Sequence, residues 1–111
     1  MKCGEIWLVN FSPSVGEEIQ KTRPVVIVSD DEMGSLALCV VVPVTDAGRS
    51  VQPWHVKVKM TTTNNLKKES LIDAFQLKSV STKRFVKKIG VISSKEMEDV
   101  KLCIIKILDL A

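Results

Sequence analysis

Gly16-Glu17-Glu18-Ile19-Gln20-Lys21-Thr22-Arg23-Pro24-Val25-Val26-Ile27-Val28-Ser29 is the stretch from which the fold can be read. A charged, polar segment runs directly into a proline and four consecutive β-branched residues, which predicts a loop joined to a buried strand. The ring of Pro24 disfavours helical backbone at Arg23 and pushes that residue into an extended conformation. Pro24 itself suits a first strand position, where no ladder donor is missed. Arg23 is thus expected to project from the rim of a rigid sheet beside a loop, an arrangement on which many sites are built. The plainer reading of the same pattern is an ordinary surface arginine ahead of a strand.

Outward from this stretch the chain reads mostly as strands. Glu5 to Phe11 forms a first strand ended by the Ser12-Pro13 turn signal, and the loop Ser14 to Thr22 leads into the second strand, Pro24 to Ser29. That strand is apolar at successive positions, so both of its faces should be covered. Asp30-Asp31-Glu32-Met33-Gly34 breaks the pattern as a solvated turn or a short helix start, without the oxygen-donor spacing of a metal loop. Leu36 to Thr45 is a third strand in which Pro43 predicts an edge or a bulge, followed by a loop over Thr45 to Ser50. His55 to Met60 alternates, with Val56 and Val58 on one face and Lys57 and Lys59 on the other. Glu69 to Leu77 reads as a fifth strand, Ser81 to Phe85 as a short turn or helical piece, and Val86 to Ile92 as a sixth strand. Then the period changes. Ser93-Ser94-Lys95-Glu96 has capping-box spacing, and Met97, Val100, Ile104 and Ile107 or Leu108 share one stripe of a helix running to about Leu108.

Composition limits the classes open to this chain. Its 111 residues suit one domain, 1–111, with a core that needs no staples. Apolar residues make up 45% and charged residues 26%, which excludes a disordered chain. No apolar run approaches membrane-spanning length, and Met1-Lys2-Cys3-Gly4-Glu5 lacks a secretion signal's apolar core, so a cytoplasmic protein is expected. Cys3, Cys39 and Cys103 are odd in number and widely spaced, which reads as buried hydrophobes or a free thiol rather than a disulfide or metal cluster. A net charge of +3 is weaker than the footprint of a duplex-DNA binder. Lys67-Lys68, Lys83-Arg84 and Lys87-Lys88 read first as solvated faces.

Four pieces then matter together: Gly4-Glu5-Ile6-Trp7-Leu8-Val9, Ser12-Pro13-x-x-Gly16-x-Glu18, Thr22-Arg23-Pro24-Val25-Val26-Ile27-Val28-Ser29, and Val42-Pro43-Val44-Thr45. In order and spacing they resemble the PemK/MazF family of toxin endoribonucleases of type II toxin-antitoxin systems, over most of the chain. The resemblance implies a mostly β, SH3-like small barrel with a C-terminal helix, and a homodimer. It also implies sequence-selective cleavage of single-stranded RNA, neutralisation by a cognate antitoxin, and DNA contact only indirectly through that antitoxin.

Cleaving RNA without a metal requires removal of the ribose 2′-OH proton, stabilisation of charge on the phosphate, and protonation of the leaving 5′-oxygen. The usual groups are scarce: one histidine, no tyrosine, no HExxH, and no phosphate-cradling glycine loop. His55, beside Trp54, reads first as a packing or surface residue. By resemblance the catalytic pair is Arg23 and Thr45, with Glu18, Lys21, Gln76 and Lys78 toward RNA and neither metal nor cofactor. An arginine suits a phosphate because its planar fork offers two parallel charged hydrogen bonds. Two departures are visible. Phe75 stands where relatives carry an acid before the glutamine, with Asp73 two residues earlier on the same expected strand face. The loop also reads Glu18-Ile19-Gln20-Lys21 where many relatives have Glu-Gln-x-Gly. The competing reading is a non-catalytic toxin or binding module of this fold acting on a protein such as DNA gyrase.

Overall fold

A computed structural model describes residues 1–11, 22–31, 37–48 and 50–110. Among these residues seven strands are formed: β1 (Glu5–Asn10), β2 (Thr22–Ile27), β3 (Leu38–Asp46), β4 (His55–Val58), β5 (Ser70–Asp73), β6 (Lys78–Ser81) and β7 (Phe85–Val91). One helix, α1 (Ser94–Ile107), ends the described chain. The strands pair antiparallel in the order β4-β5-β3-β2-β1-β7, with β6 also on β3. Among the described residues the path does not close on itself, so the expected small barrel takes an open form.

The strand β2 is buried on both faces, as its unbroken apolar run requires. Val26 joins Ile6, Val42, Val44, Val56, Val58 and Ile72 in the core beneath α1. Val25 and Ile27 point the other way, into a second cluster with Val9, Cys39, Val41 and Val80, edged by Trp7, Phe11 and Phe85. Thr22 and Arg23 already belong to the strand, which therefore starts two residues before Pro24. Residues 14–21 of the expected loop lie outside the described residues.

The helix starts where its cap was read. Ser93 Oγ accepts the Glu96 N–H at 3.1 Å, and the Glu96 carboxylate accepts the Ser93 N–H at 2.9 Å. Met97 and Val100 are buried in the core, Ile104 packs at its margin, and Leu108, beyond the last turn, is exposed. At β4 the alternation holds: Val56 and Val58 are buried while Lys57 faces solvent and pairs with Glu69 at 3.2 Å. All three cysteines are free.

The expected fifth strand is not continuous. After β5 the chain turns through a 3-10 turn, Ala74–Gln76, before β6 begins. Both strands pair with β3, Val44 opposite Ile72 and Val41 opposite Lys78. Six residue steps therefore face three, and the surplus is looped out opposite Val42 and Pro43. Asp73 causes the break: its carboxylate accepts the Phe75 N–H at 3.1 Å, a local bond that competes with the ladder. Pro43, which offers no N–H, lies where β3 changes partner, so the predicted irregularity is real. Phe75 accordingly does not share a strand face with Asp73; the carboxylate is buried and the ring is 61% exposed.

Candidate active site and its aromatic floor

Alternation places Trp7 and Val9 on one face of β1, the face that also carries Val25 and Ile27 of β2, and Phe11, just past the end of β1, packs against the same cluster. Arg23 pairs with Val9 and so belongs to this face. It is exposed at the rim, and no hydrogen bond or ion pair holds its side chain among the described residues. Thr45 is half-buried in β3, opposite Leu71 of β5. It is a strand residue; the turn begins after Asp46, whose carboxylate accepts the Gly48 N–H at 2.9 Å. The register that sets Val25 against Pro43 and Val26 against Val42 leads, two residues beyond its last bridge, to Arg23 and Thr45. The two therefore lie on one face and in one row of the sheet.

Lys78 joins them from β6. It pairs with Val41 and so shares the face, with its Nζ 4.6 Å from the centre of the Phe11 ring, a cation–π contact. Beside Phe11 the floor is built by Trp7 and Phe85, edge to face at 5.8 Å. Glu5 anchors that floor by accepting the Trp7 indole N–H at 2.9 Å and pairing with Lys88 at 3.1 Å. Burial acts to raise the Glu5 pKa, but the Trp7 indole, the Lys2 backbone N–H and the Lys88 ammonium prevail and hold it at about 2.

Gln76 sits on the 3-10 turn. Its Nε2 donates to the Asp73 carboxylate at 2.9 Å, so its orientation is set by the residue that breaks the strand. Beside it lies a cavity of about 420 Å³ lined by Ser50, Gln52, Trp54, His55, Asp73, Phe75 and Gln76. Of the six residues singled out from the sequence, four are placed: Arg23 and Thr45 in one row, Lys78 on the same face, and Gln76 on the turn leading to β6. Glu18 and Lys21 lie outside the described residues. Trp7, Phe11 and Phe85 were missed as a floor, although aromatic residues at 7 and 11, four apart on the expected first strand, already shared a face. Among the described residues no cluster of three His, Cys, Asp or Glu side chains could hold a metal ion.

An antiparallel sheet covered by one terminal helix, with this face and rim, is the frame of a known class of toxin. The chain belongs to the PemK-like, MazF-like toxins of type II toxin-antitoxin systems, matching that family over residues 2–108. It is 36% identical over 103 residues to Endoribonuclease MazF9 of Mycobacterium tuberculosis, covering 87% of this chain and 86% of that one. A shorter match, 51% identical over 49 residues, covers 43% of this chain and 37% of Endoribonuclease PemK of Escherichia coli. The fold superposes on the crystal structure of MazE-MazF from Deinococcus radiodurans with a TM-score of 0.80 at 18% identity, over 100% of this chain and 97% of that one. Mycobacterium tuberculosis toxin MazF-mt6 gives 0.78 at 19% identity, over 96% and 98%.

Proposed function

We propose that this protein is a single-domain, cytoplasmic endoribonuclease toxin that cuts single-stranded RNA at selected sequences. The observation that carries the reading is the shared face of Arg23, Thr45 and Lys78: two cations and a hydroxyl on one face of the sheet. The names of its relatives, Endoribonuclease MazF9 and Endoribonuclease PemK, support it.

In the proposed reaction the substrate's own 2′-oxygen bonds to the adjacent phosphorus and the bond from phosphorus to the 5′-oxygen breaks. One proton leaves the 2′-hydroxyl and one arrives on the departing oxygen, so no water is consumed. The products are a 2′,3′-cyclic phosphate and a 5′-hydroxyl. Arg23 has a pKa above about 12, which suits it to charge stabilisation rather than proton transfer. Its fork would bind the phosphate oxygens as negative charge grows there. Thr45, held by its pairing with Leu71, would donate its hydroxyl to the same phosphate. Lys78, with Glu18, Lys21 and Gln76, would hold the flanking strand.

The working form would be a homodimer, supported by exposed apolar side chains on and beyond α1 at Leu102, Leu108 and Leu110. A cognate antitoxin would inhibit by laying an acidic peptide along the RNA groove, and DNA would be reached only through it. The solved MazE-MazF pair from Deinococcus radiodurans supports a partner of this kind. Incubating the purified protein with total RNA tests the reading: discrete fragments are expected, and intact RNA at enzyme excess would return the protein-binding alternative to first place.

A further inference from the structure

The cavity beside Gln76 carries an arrangement that the cleavage chemistry does not use. Its wall is a pair of rings, Trp54 and Phe75, with centroids 5.5 Å apart and planes inclined at 56°. Phe75 is 61% exposed, an open aromatic surface rather than a core ring. Its polar edge is His55, Asp73 and Gln76. The His55 and Asp73 side chains are only 4% and 6% exposed.

The protons on that edge can be assigned. His55 Nδ1 accepts the Gln52 backbone N–H at 3.0 Å, so in the neutral ring the proton sits on Nε2. Nε2 lies 3.8 Å from Asp73 Oδ2, too far for a hydrogen bond. Among the described residues no buried polar side-chain atom is left unpartnered, so Nε2 is not sealed from solvent, and His55 lines the cavity. Asp73 is occupied by the Phe75 N–H and by Gln76 Nε2. The Gln76 amide thereby presents its Oε1 as an acceptor. A donor and an acceptor thus stand beside an open ring face.

The location says what this combination would meet. His55 pairs with Asp73, and Leu71, two residues earlier on β5, pairs with Thr45, so all four share one face. At the usual strand spacing and rise, Asp73 is about 8 Å and His55 about 12 Å from Thr45. At a stacked rise of roughly 3.4 Å, a nucleic acid strand covers that interval within about three nucleotides.

Resting on the endoribonuclease reading above, we propose that Trp54, Phe75, His55 and Gln76 form a nucleobase subsite that takes one unstacked base of the RNA within about three nucleotides of the cut. The ring face of Phe75 stacks the base, and His55 Nε2 and Gln76 Oε1 meet a hydrogen-bonding acceptor and donor on its edge. Recognition at this position then depends on Phe75, where the chain departs from its relatives.

The test uses the full-length protein and the single-stranded RNA it binds most tightly from a randomised pool. That RNA is synthesised with 2′-O-methyl groups so that it is not cut, and one abasic nucleotide is stepped along it. Fluorescence anisotropy should show wild-type affinity falling about tenfold when the abasic nucleotide reaches one position. Phe75→Ala, at an exposed site, should bind the intact RNA about tenfold more weakly and be insensitive to base loss at that position alone. Phe75→Trp should restore both. If the effects of Phe75→Ala and base loss multiply at every position, the subsite is overturned. Cutting of the unmodified RNA without this coupling would sink the subsite and leave the nuclease. Coupling without cutting would sink the nuclease and leave the subsite as an RNA contact, and no RNA binding would sink both.

Discussion

The Gln76 side-chain amide donates to the Asp73 carboxylate across 2.9 Å, closing the three-residue turn that separates β5 from β6. The same carboxylate takes the Phe75 N–H, so one buried acid sets the path of the backbone and the aim of the glutamine. Asp73→Ala would leave both donors without their charged acceptor. Hydrogen bonds to charged groups contribute about 1.5–3 kcal/mol each, so for two of them a loss of about 3–6 kcal/mol is expected in urea unfolding. Asp73→Asn should lose less, because one oxygen remains to cap the turn.

Arg23 lies at the rim and is exposed. Arg23→Ala should abolish RNA cleavage and change the unfolding midpoint little, because surface substitutions away from the core stay within about 0.5 kcal/mol. Arg23→Lys should recover little activity, since a lysine keeps the charge and loses the fork. Cleavage by Arg23→Ala at the wild-type rate would remove this residue from the reaction.

A reaction driven by the substrate's own 2′-hydroxyl has consequences at the ends of the fragments. Cleavage should persist in EDTA, the upstream fragment should end in a 2′,3′-cyclic phosphate or its 3′-phosphate product, and the downstream fragment should begin with a 5′-hydroxyl. A single 2′-deoxy or 2′-O-methyl nucleotide before the cut should stop the reaction with binding nearly unchanged. Mass spectrometry of the fragments decides; normal cutting of the 2′-deoxy substrate would refute the mechanism.

Sedimentation velocity should show a species of twice the 12.3 kDa chain mass at micromolar concentration. Leu102→Glu, on the exposed face of α1, should shift it toward the monomer by placing a charge in the apolar contact. A single 12 kDa species in the wild type would reject the dimer.

The Glu5 carboxyl, held at about 2 in the folded chain against an ordinary value of 4.5, contributes stability that is complete above about pH 4.5. That contribution is lost as pH falls toward about 2, because the unfolded chain takes up the proton first. Glu5→Gln should flatten the fall in urea midpoint over this window and loosen the Trp7–Phe85 floor, which near-ultraviolet circular dichroism would report. An unchanged pH profile would mean that Glu5 does not anchor Trp7.

Local patterns already determined much of this molecule. The apolar run Val25-Val26-Ile27 demanded cover on both faces, and two clusters provide it. The alternation at His55–Val58 and the capping box at Ser93 were equally legible, because period and capping are properties of neighbouring residues. The pairing of residues far apart in sequence was decided by the tertiary structure alone. Nothing local in Thr45 or Arg23 says that β2 and β3 bring them to one row, since register is set by which apolar faces must be buried together. Asp73 showed the same limit from the other side. Its segment reads as one strand, but a buried carboxylate capping its own chain at Phe75 outweighs strand propensity, and the aromatic pair of Trp54 and Phe75 exists only because that turn swings Phe75 back onto β4's approach.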